Sequence, residues 1–287
     1  MKELEAESST VNCKYCGLAT TIRCGSYKGI PYFYCKPCGR KFKVDNNVYY
    51  MRSPSSVVGA ALNMFYRGML FHDIRNCLVS EDSHPPSKEA LYRWIVKYTL
   101  TAPAVFREFR PSTGNAWLIS KTFFYFDHRV YKIIDVVDIA TRFLLATSMT
   151  LTHDINTIKN IMNEARLNAG KYPAFVLAHM HYSYFLRIKK AFECESDHMH
   201  NRLSAREYNV EMVQVIDTIF KPRLKIMYTL KNPETVARFV NGWYVYYNFF
   251  KPQVILGNRT PAAVAGIEYS IKTWEDLVNH PATKKPA

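Results

Sequence analysis

The stretch Val130-Tyr131-Lys132-Ile133-Ile134-Asp135-Val136-Val137 decides the reading of the fold. Its β-branched and aromatic residues form a short run suited to a strand. Working outward, residues 116–119 and 122–125 read as the strand before it. Residues 142–147 read as the strand after it. Residues 153–169 form an amphipathic helix that ends before Gly170, and residues 174–178 a buried strand. Residues 182–192, 210–220 and 233–250 read as helices, the last rich in aromatics. Three strands followed by alternating helix and strand point to an α/β fold.

Upstream, residues 53–99 carry three short helical patterns. Ser53-Pro54 reads as an N-cap followed by proline at the first helical position. Val58, Ala61, Leu62 and Phe65 follow at helical spacing until Gly68 breaks the pattern; Ile74 and Leu78 mark a second helix. Ser87 caps a third, with Leu91, Trp94, Ile95 and Tyr98 on one stripe. Three short helices in a basic chain suggest a helix-turn-helix. Its last helix would present Lys88, Glu89, Tyr92, Arg93 and Lys97 outward, its N-terminal end toward base edges.

The first fifty residues hold two knuckles, Cys13-Lys14-Tyr15-Cys16-Gly17 and Cys35-Lys36-Pro37-Cys38-Gly39. Each knuckle aims two thiolates at one point, which suits tetrahedral zinc, and a short hairpin is expected between residues 27 and 34. Cys13, Cys16, Cys35 and Cys38 are therefore expected to hold structural zinc, because four thiolates leave no open position for catalysis. So small a segment needs its metal to fold. Lys36, Arg40, Lys41 and Lys43 make the second knuckle basic, as phosphate contact would require. Cys24, Cys77 and Cys194 remain as reduced thiols.

Composition narrows the class. The chain has 287 residues, 48% hydrophobic and 14% aromatic, which excludes a disordered or low-complexity chain. Lys and Arg number 38 against 24 Asp and Glu, for a net charge of +14, so a polyanion is the first partner to consider. No apolar run approaches eighteen residues, and the start Met1-Lys2-Glu3-Leu4-Glu5-Ala6-Glu7 lacks the apolar region of a secretion signal. Seven cysteines without such a signal argue against a disulfide framework.

Several segments carry a resemblance. Tyr66-Arg67-Gly68, Asp73-Ile74 and Tyr92-Arg93-Trp94-Ile95 resemble the DNA-binding helices of insertion-sequence transposases. Asp138-Ile139-Ala140-Thr141-Arg142-Phe143 and Lys221-Pro222-Arg223-Leu224-Lys225-Ile226-Met227 are similar to the same family. So are Tyr247-Asn248-Phe249-Phe250-Lys251-Pro252 and Thr260-Pro261-Ala262-Ala263-Val264-Ala265-Gly266-Ile267. Together they resemble the DDE transposases of the IS-six type over about residues 12–267. The resemblance implies an RNase H-like core, a mixed sheet with flanking helices, preceded by a zinc ribbon and a helix-turn-helix. The expected organisation is a flexible 1–10, a zinc ribbon over 11–46, a helix-turn-helix over 50–100, the core over 114–268 and a tail over 269–287.

The family's chemistry needs two Asp and one Glu to hold two Mg²⁺ ions. Trp117 and Thr122 frame Ser120 where the first Asp belongs; Pro173 and Tyr184 frame His179 at the second. Counting back from Lys221, Arg223 and Lys225 gives Gln214 at the Glu, and Gln253 replaces the usual His of the Asn-Phe-x-Arg-Pro-His stretch. Neutral Ser, His and Gln cannot balance two divalent cations, so no catalytic Mg²⁺ is expected. Losing three clustered acids also removes their mutual repulsion and their repulsion of phosphate. Asp127, Asp135, Asp138, Glu211 and Asp217 lie nearby in sequence, but Asp135 and Asp138 have opposite strand parity. The pairs His179-Met180-His181 and His198-Met199-His200 have a spacing that suits a transition metal, yet no spacing rule joins them, and the reading without metal is preferred.

The resulting expectation is a catalytically inactive, transposase-derived protein that binds double-stranded DNA as a homodimer. It would act as a site-specific regulator or chromosome-associated factor in a prokaryotic cytoplasm, near the nucleoid. Lys221, Arg223, Lys225 and Lys231 form a basic run suited to phosphates. The alternatives are an active strand-transferase with displaced acids and a protein-interaction scaffold.

Overall fold

The computed structural model describes residues 11, 21–27, 30–36, 39–43, 53–79, 85–106, 108–126, 128–151, 155–178, 223–228, 230 and 233–284. The chain forms two compact units, one of residues 1–52 with 281–287 and one of residues 53–280.

In the first unit, β1 (Thr21–Tyr27), β2 (Ile30–Cys35) and β3 (Lys41–Lys43) form an antiparallel sheet in the order β1-β2-β3. The hairpin is longer than the one expected inside residues 27–34, and it turns between Tyr27 and Ile30. Its described core is slight: Cys35 and Phe42 are buried, with Val11 and Phe33 packed against them.

The second unit holds α1 (Ser55–Tyr66), α2 (Phe71–Val79), α3 (Lys88–Phe106), β4 (Ala116–Phe126), β5 (Arg129–Asp138), β6 (Leu144–Thr150), α4 (Ile155–Ala169), β7 (Phe175–Ala178) and α5 (Pro233–Val245). The sheet order is β6-β5-β4-β7. The β6–β5 and β5–β4 pairs are antiparallel and β4–β7 is parallel. β4 is one continuous strand that also takes in Ser120 and Lys121. Ser120 is buried on one face while Lys121 places its ammonium 5.1 Å from the Phe123 ring centre. The two polar residues simply continue the strand's alternation.

α1, α2 and α3 belong to the same compact unit as the sheet. α1 begins one residue after Pro54, which is its cap, and no side chain bonds the helix end. Ser87 does cap α3, its Oγ accepting from Ala90 N at 3.2 Å. The aromatic stripe of α1 meets α5 at Tyr66, whose ring stacks on Phe239, Tyr246 and Trp274 at centroid distances of 5.2, 5.5 and 4.8 Å.

The helix expected over 233–250 changes pitch. After Val245 it continues as a π-helical turn, Tyr246–Phe250. The wider turn sets the Asn248 side chain against the start of β6. Its Oδ1 accepts from Leu144 N and its Nδ2 donates to Leu144 O, each at 2.9 Å. One amide thus completes the pairing of an edge residue, as a further strand would.

Candidate functional site

The centre of the sheet is where the resemblance places the first acid, and here Ser120 lies directly across from Asp135 in the β4–β5 register. Ser120 is buried, and its hydroxyl has no hydrogen-bond partner among the described residues. Asp135 in turn lies across from Thr147 on β6. Three lateral neighbours on adjacent strands share one face of the sheet.

Asp135 is fully buried, yet its carboxylate is bound on both oxygens. Arg223 Nη1 donates to Oδ1 at 3.0 Å and Nη2 to Oδ2 at 2.8 Å, and Thr147 Oγ1 donates to Oδ1 at 2.6 Å. Both members of the ion pair have zero side-chain exposure. A bidentate guanidinium matches a carboxylate in shape and charge, so the desolvation of each ion is answered by the other. The chemical result is a carboxylate whose charge is already balanced, without a divalent cation.

Tyr247 lines the same region. Burial pushes its phenol above the ordinary tyrosine range, while a hydrogen bond with the Gln253 side chain and the charge of Arg142 oppose that rise. Gln253 is itself buried, and its Nε2 has no partner among the described residues. Gln253, where the resemblance led one to expect a His, is therefore part of the inner polar seam.

Asp138 does different work. Its Oδ2 accepts from Thr141 N at 2.9 Å and Thr141 Oγ1 at 2.6 Å, and it closes the β5–β6 connection through Asp138 N to Phe143 O at 2.9 Å. Arg142 takes φ of 61° in this turn. The parity expectation holds: Asp135 is paired laterally with Ser120, and Asp138 with Trp117, an odd number of residues away.

The sequence-derived site residues separate as follows. His179, Gln214, Lys221, Lys231, both His-Met-His triplets, and the acids Asp127, Glu211 and Asp217 lie outside the described residues. So do Cys13, Cys16 and Cys38. Cys35 is buried, and its backbone forms a tight turn, with Gly39 N donating to Cys35 O at 2.9 Å and Cys35 N to Arg40 O at 3.0 Å. Gly39 has φ of 67°, a conformation that suits glycine. A buried sulfur at the head of such a turn fits a thiolate zinc ligand. Among the described residues no group of three His, Cys, Asp or Glu side chains is placed to hold a metal ion.

Of the basic set, Lys36, Arg40, Lys41, Lys88, Arg93 and Lys225 are exposed, and Lys43 lies on β3. Tyr92 is at the surface, and its hydroxyl is 3.0 Å from Thr235 Oγ1 on α5. Lys97 is half-buried, and burial lowers its ammonium below the ordinary lysine range. Arg223 corrects the sequence reading: it was expected on a phosphate-contacting face and is instead sealed in the core by Asp135. A signal for the pair did exist. Asp135 interrupts the apolar run Ile133-Ile134-Asp135-Val136-Val137, and a charge in a buried strand needs a partner.

The fold that results is mixed α/β, a mixed sheet with flanking helices, as the resemblance implied. No helix of the described residues is long and apolar enough to cross a membrane. No protein-family profile and no curated protein sequence matches the chain. Among solved structures it is similar to the simian T-cell lymphotropic virus intasome, determined by cryo-EM in complex with PP2A regulatory subunit B56 gamma. The identity is 15% and the TM-score 0.44, over 56% of this chain and 57% of that one. It is also similar to the HTLV-2 integrase catalytic core domain in complex with magnesium. The trimeric form matches at 14% identity and TM-score 0.41, over 54% of this chain and 97% of that one. The dimeric form matches at 11% and 0.39, over 55% and 99%. The chain spans little more than half of the first of these. Likeness at this level says nothing about chemistry.

Proposed function

We propose that the chain is a transposase-derived protein of the IS-six type that binds double-stranded DNA and has lost strand-transfer chemistry. One observation carries the reading: opposite Ser120, the nearest carboxylate on the sheet is Asp135, whose two oxygens are occupied by Arg223 and Thr147. A metal ion would have to displace a buried guanidinium to reach it, at the cost of stranding that charge. Ser120, His179 and Gln214 are the degenerate catalytic positions, and none of the three is an acid that could take its place.

The zinc ribbon over 11–46, with Cys13, Cys16, Cys35 and Cys38 on structural zinc, and the helices over 50–100 would read DNA. Lys36, Arg40, Lys41 and Lys43 suit phosphate contacts, as do Lys88, Arg93, Lys97, Lys221 and Lys225, with Tyr92 beside them. A homodimer suits paired half-sites. The function would be site-specific regulation or chromosome association at the nucleoid.

The test uses the full chain loaded with zinc. It should retain fragmented host DNA near physiological salt, and should neither nick nor join DNA with Mg²⁺ or Mn²⁺. Metal-dependent strand transfer that Gln214→Ala abolishes would replace this reading with that of an active enzyme. Absence of any DNA retention would leave the scaffold.

A further inference from the structure

The loop after the π turn presents two large aliphatic side chains to water. Val254 is 87% exposed and Ile255 57%. The loop is not slack. Gln253 N donates to Arg259 O at 3.0 Å, and Gln253 O accepts from Leu256 N and Asn258 N, each at 3.0 Å. Gly257 N returns to Val254 O at 3.0 Å, and Gly257 and Asn258 take φ of 64° and 60°, which closes the lariat in few residues. Both feet are fixed. The Gln253 side chain is buried and bonded with Tyr247. Thr260 Oγ1 is 2.8 Å from Tyr269 Oη, which donates to Phe249 O at 2.9 Å.

The tip is framed by cations. Arg259 is exposed, and its Nε donates to Leu256 O at 3.4 Å, which orients the guanidinium beside the tip. Lys272 lies 3.6 Å from the ring centre of Tyr269 at the loop's foot, while Lys251, which precedes the loop, is partly buried with its ammonium 5.9 Å from the Trp243 ring centre. From Lys251 to Ile267 the sequence contains no Asp or Glu.

We propose that Val254 and Ile255 form a wedge that enters a base step of duplex DNA, with Arg259 and Lys272 on the flanking phosphates. This rests on the DNA-binding reading and adds a mode to it: bending by partial unstacking. Wedges of one or two apolar side chains kink a duplex in this way. The cationic frame complements phosphate and would repel a second copy of itself. Two aliphatic side chains also offer roughly a few hundred Å² at most, short of the ~800 Å² per partner of a stable protein interface. A kinked base step needs no larger contact.

The experiment compares the wild-type chain with the double variant Val254→Ser/Ile255→Ser on a 30-base-pair duplex carrying a fluorophore at each end. Both side chains are exposed, so the variant should melt as wild type does. The wild type is expected to shorten the end-to-end distance on binding. The variant should lose that shortening and bind roughly tenfold more weakly at equal salt. If the wild type binds in a salt-sensitive way and the variant binds and bends identically, the wedge is wrong and the DNA-binding reading stands. If the variant instead changes the sedimentation coefficient with DNA affinity intact, the loop is a self-association knob and the proposal fails. If the wild type binds no DNA at any salt, the underlying reading fails and takes the wedge with it.

Discussion

Two buried regions of the same unit hold polar atoms away from water by opposite means. Around Asp135 the sheet buries a full charge and answers it with another charge brought from 88 residues away. Around Tyr66 the helices bury a neutral hydroxyl and answer it with one neighbour, Thr99 Oγ1 at 2.7 Å, among stacked rings. The first region is specific because it has no tolerable half-state: either ion alone is stranded. The second is specific by shape, since the rings leave no room. If that contrast is right, the two regions should fail differently when perturbed.

The largest effect is expected at the ion pair. Arg223→Met should cost about 3–5 kcal/mol in urea unfolding, because Asp135 is left buried and uncompensated. The double variant Asp135→Leu/Arg223→Met should recover most of that loss, since replacing both ions removes two desolvation penalties together. A double variant as unstable as the single one would show that the pair stabilises the fold outright, and would break the contrast with the aromatic region.

A smaller effect is expected at the rings. A Cβ added to Gly242 would stand 2.0 Å from Tyr66 Oη and 3.0 Å from Thr99 Cγ2. Gly242→Ala should therefore cost about 1–3 kcal/mol by overpacking, even though alanine is the better helix former. Tyr66→Phe removes the oxygen that clashes, so Gly242→Ala should cost less in that background. Equal costs in the two backgrounds would mean the rings shift freely, and that shape does not fix this region.

How much of this was legible follows from the range of the interactions. Local signals were readable: the break at Gly68, where φ is 100°, and the Ser87 cap. The strand sequence was readable too, because a period of two survives in short windows. Ser120 and Lys121 fell outside the two stretches read as this strand, and only the Ser120–Asp135 register shows one of them facing an acid inside the protein. Arg223 was misread for a related reason. In Lys221-Pro222-Arg223-Leu224-Lys225 it resembles a solvated basic ladder, and nothing local says that its partner is a carboxylate on a central strand. The π turn at Tyr246–Phe250 was likewise hidden, since its reason is the Asn248 amide reaching Leu144, more than a hundred residues away.

The smallest expected effect is at Ser120, and it bears most directly on function. A buried hydroxyl with no partner among the described residues contributes desolvation cost and no bond. Ser120→Ala should therefore change stability by no more than about 0.5 kcal/mol, and can raise it. The same substitution should leave DNA retention and duplex bending untouched, because the side chain is inside the sheet rather than on a phosphate-facing surface. A loss above about 1 kcal/mol would mean that the hydroxyl is engaged by a group outside the described residues. In that case the sheet centre keeps a working polar site around Asp135, and the comparison would tilt: both buried regions would then be fully bonded, and Ser120 would carry a role of its own.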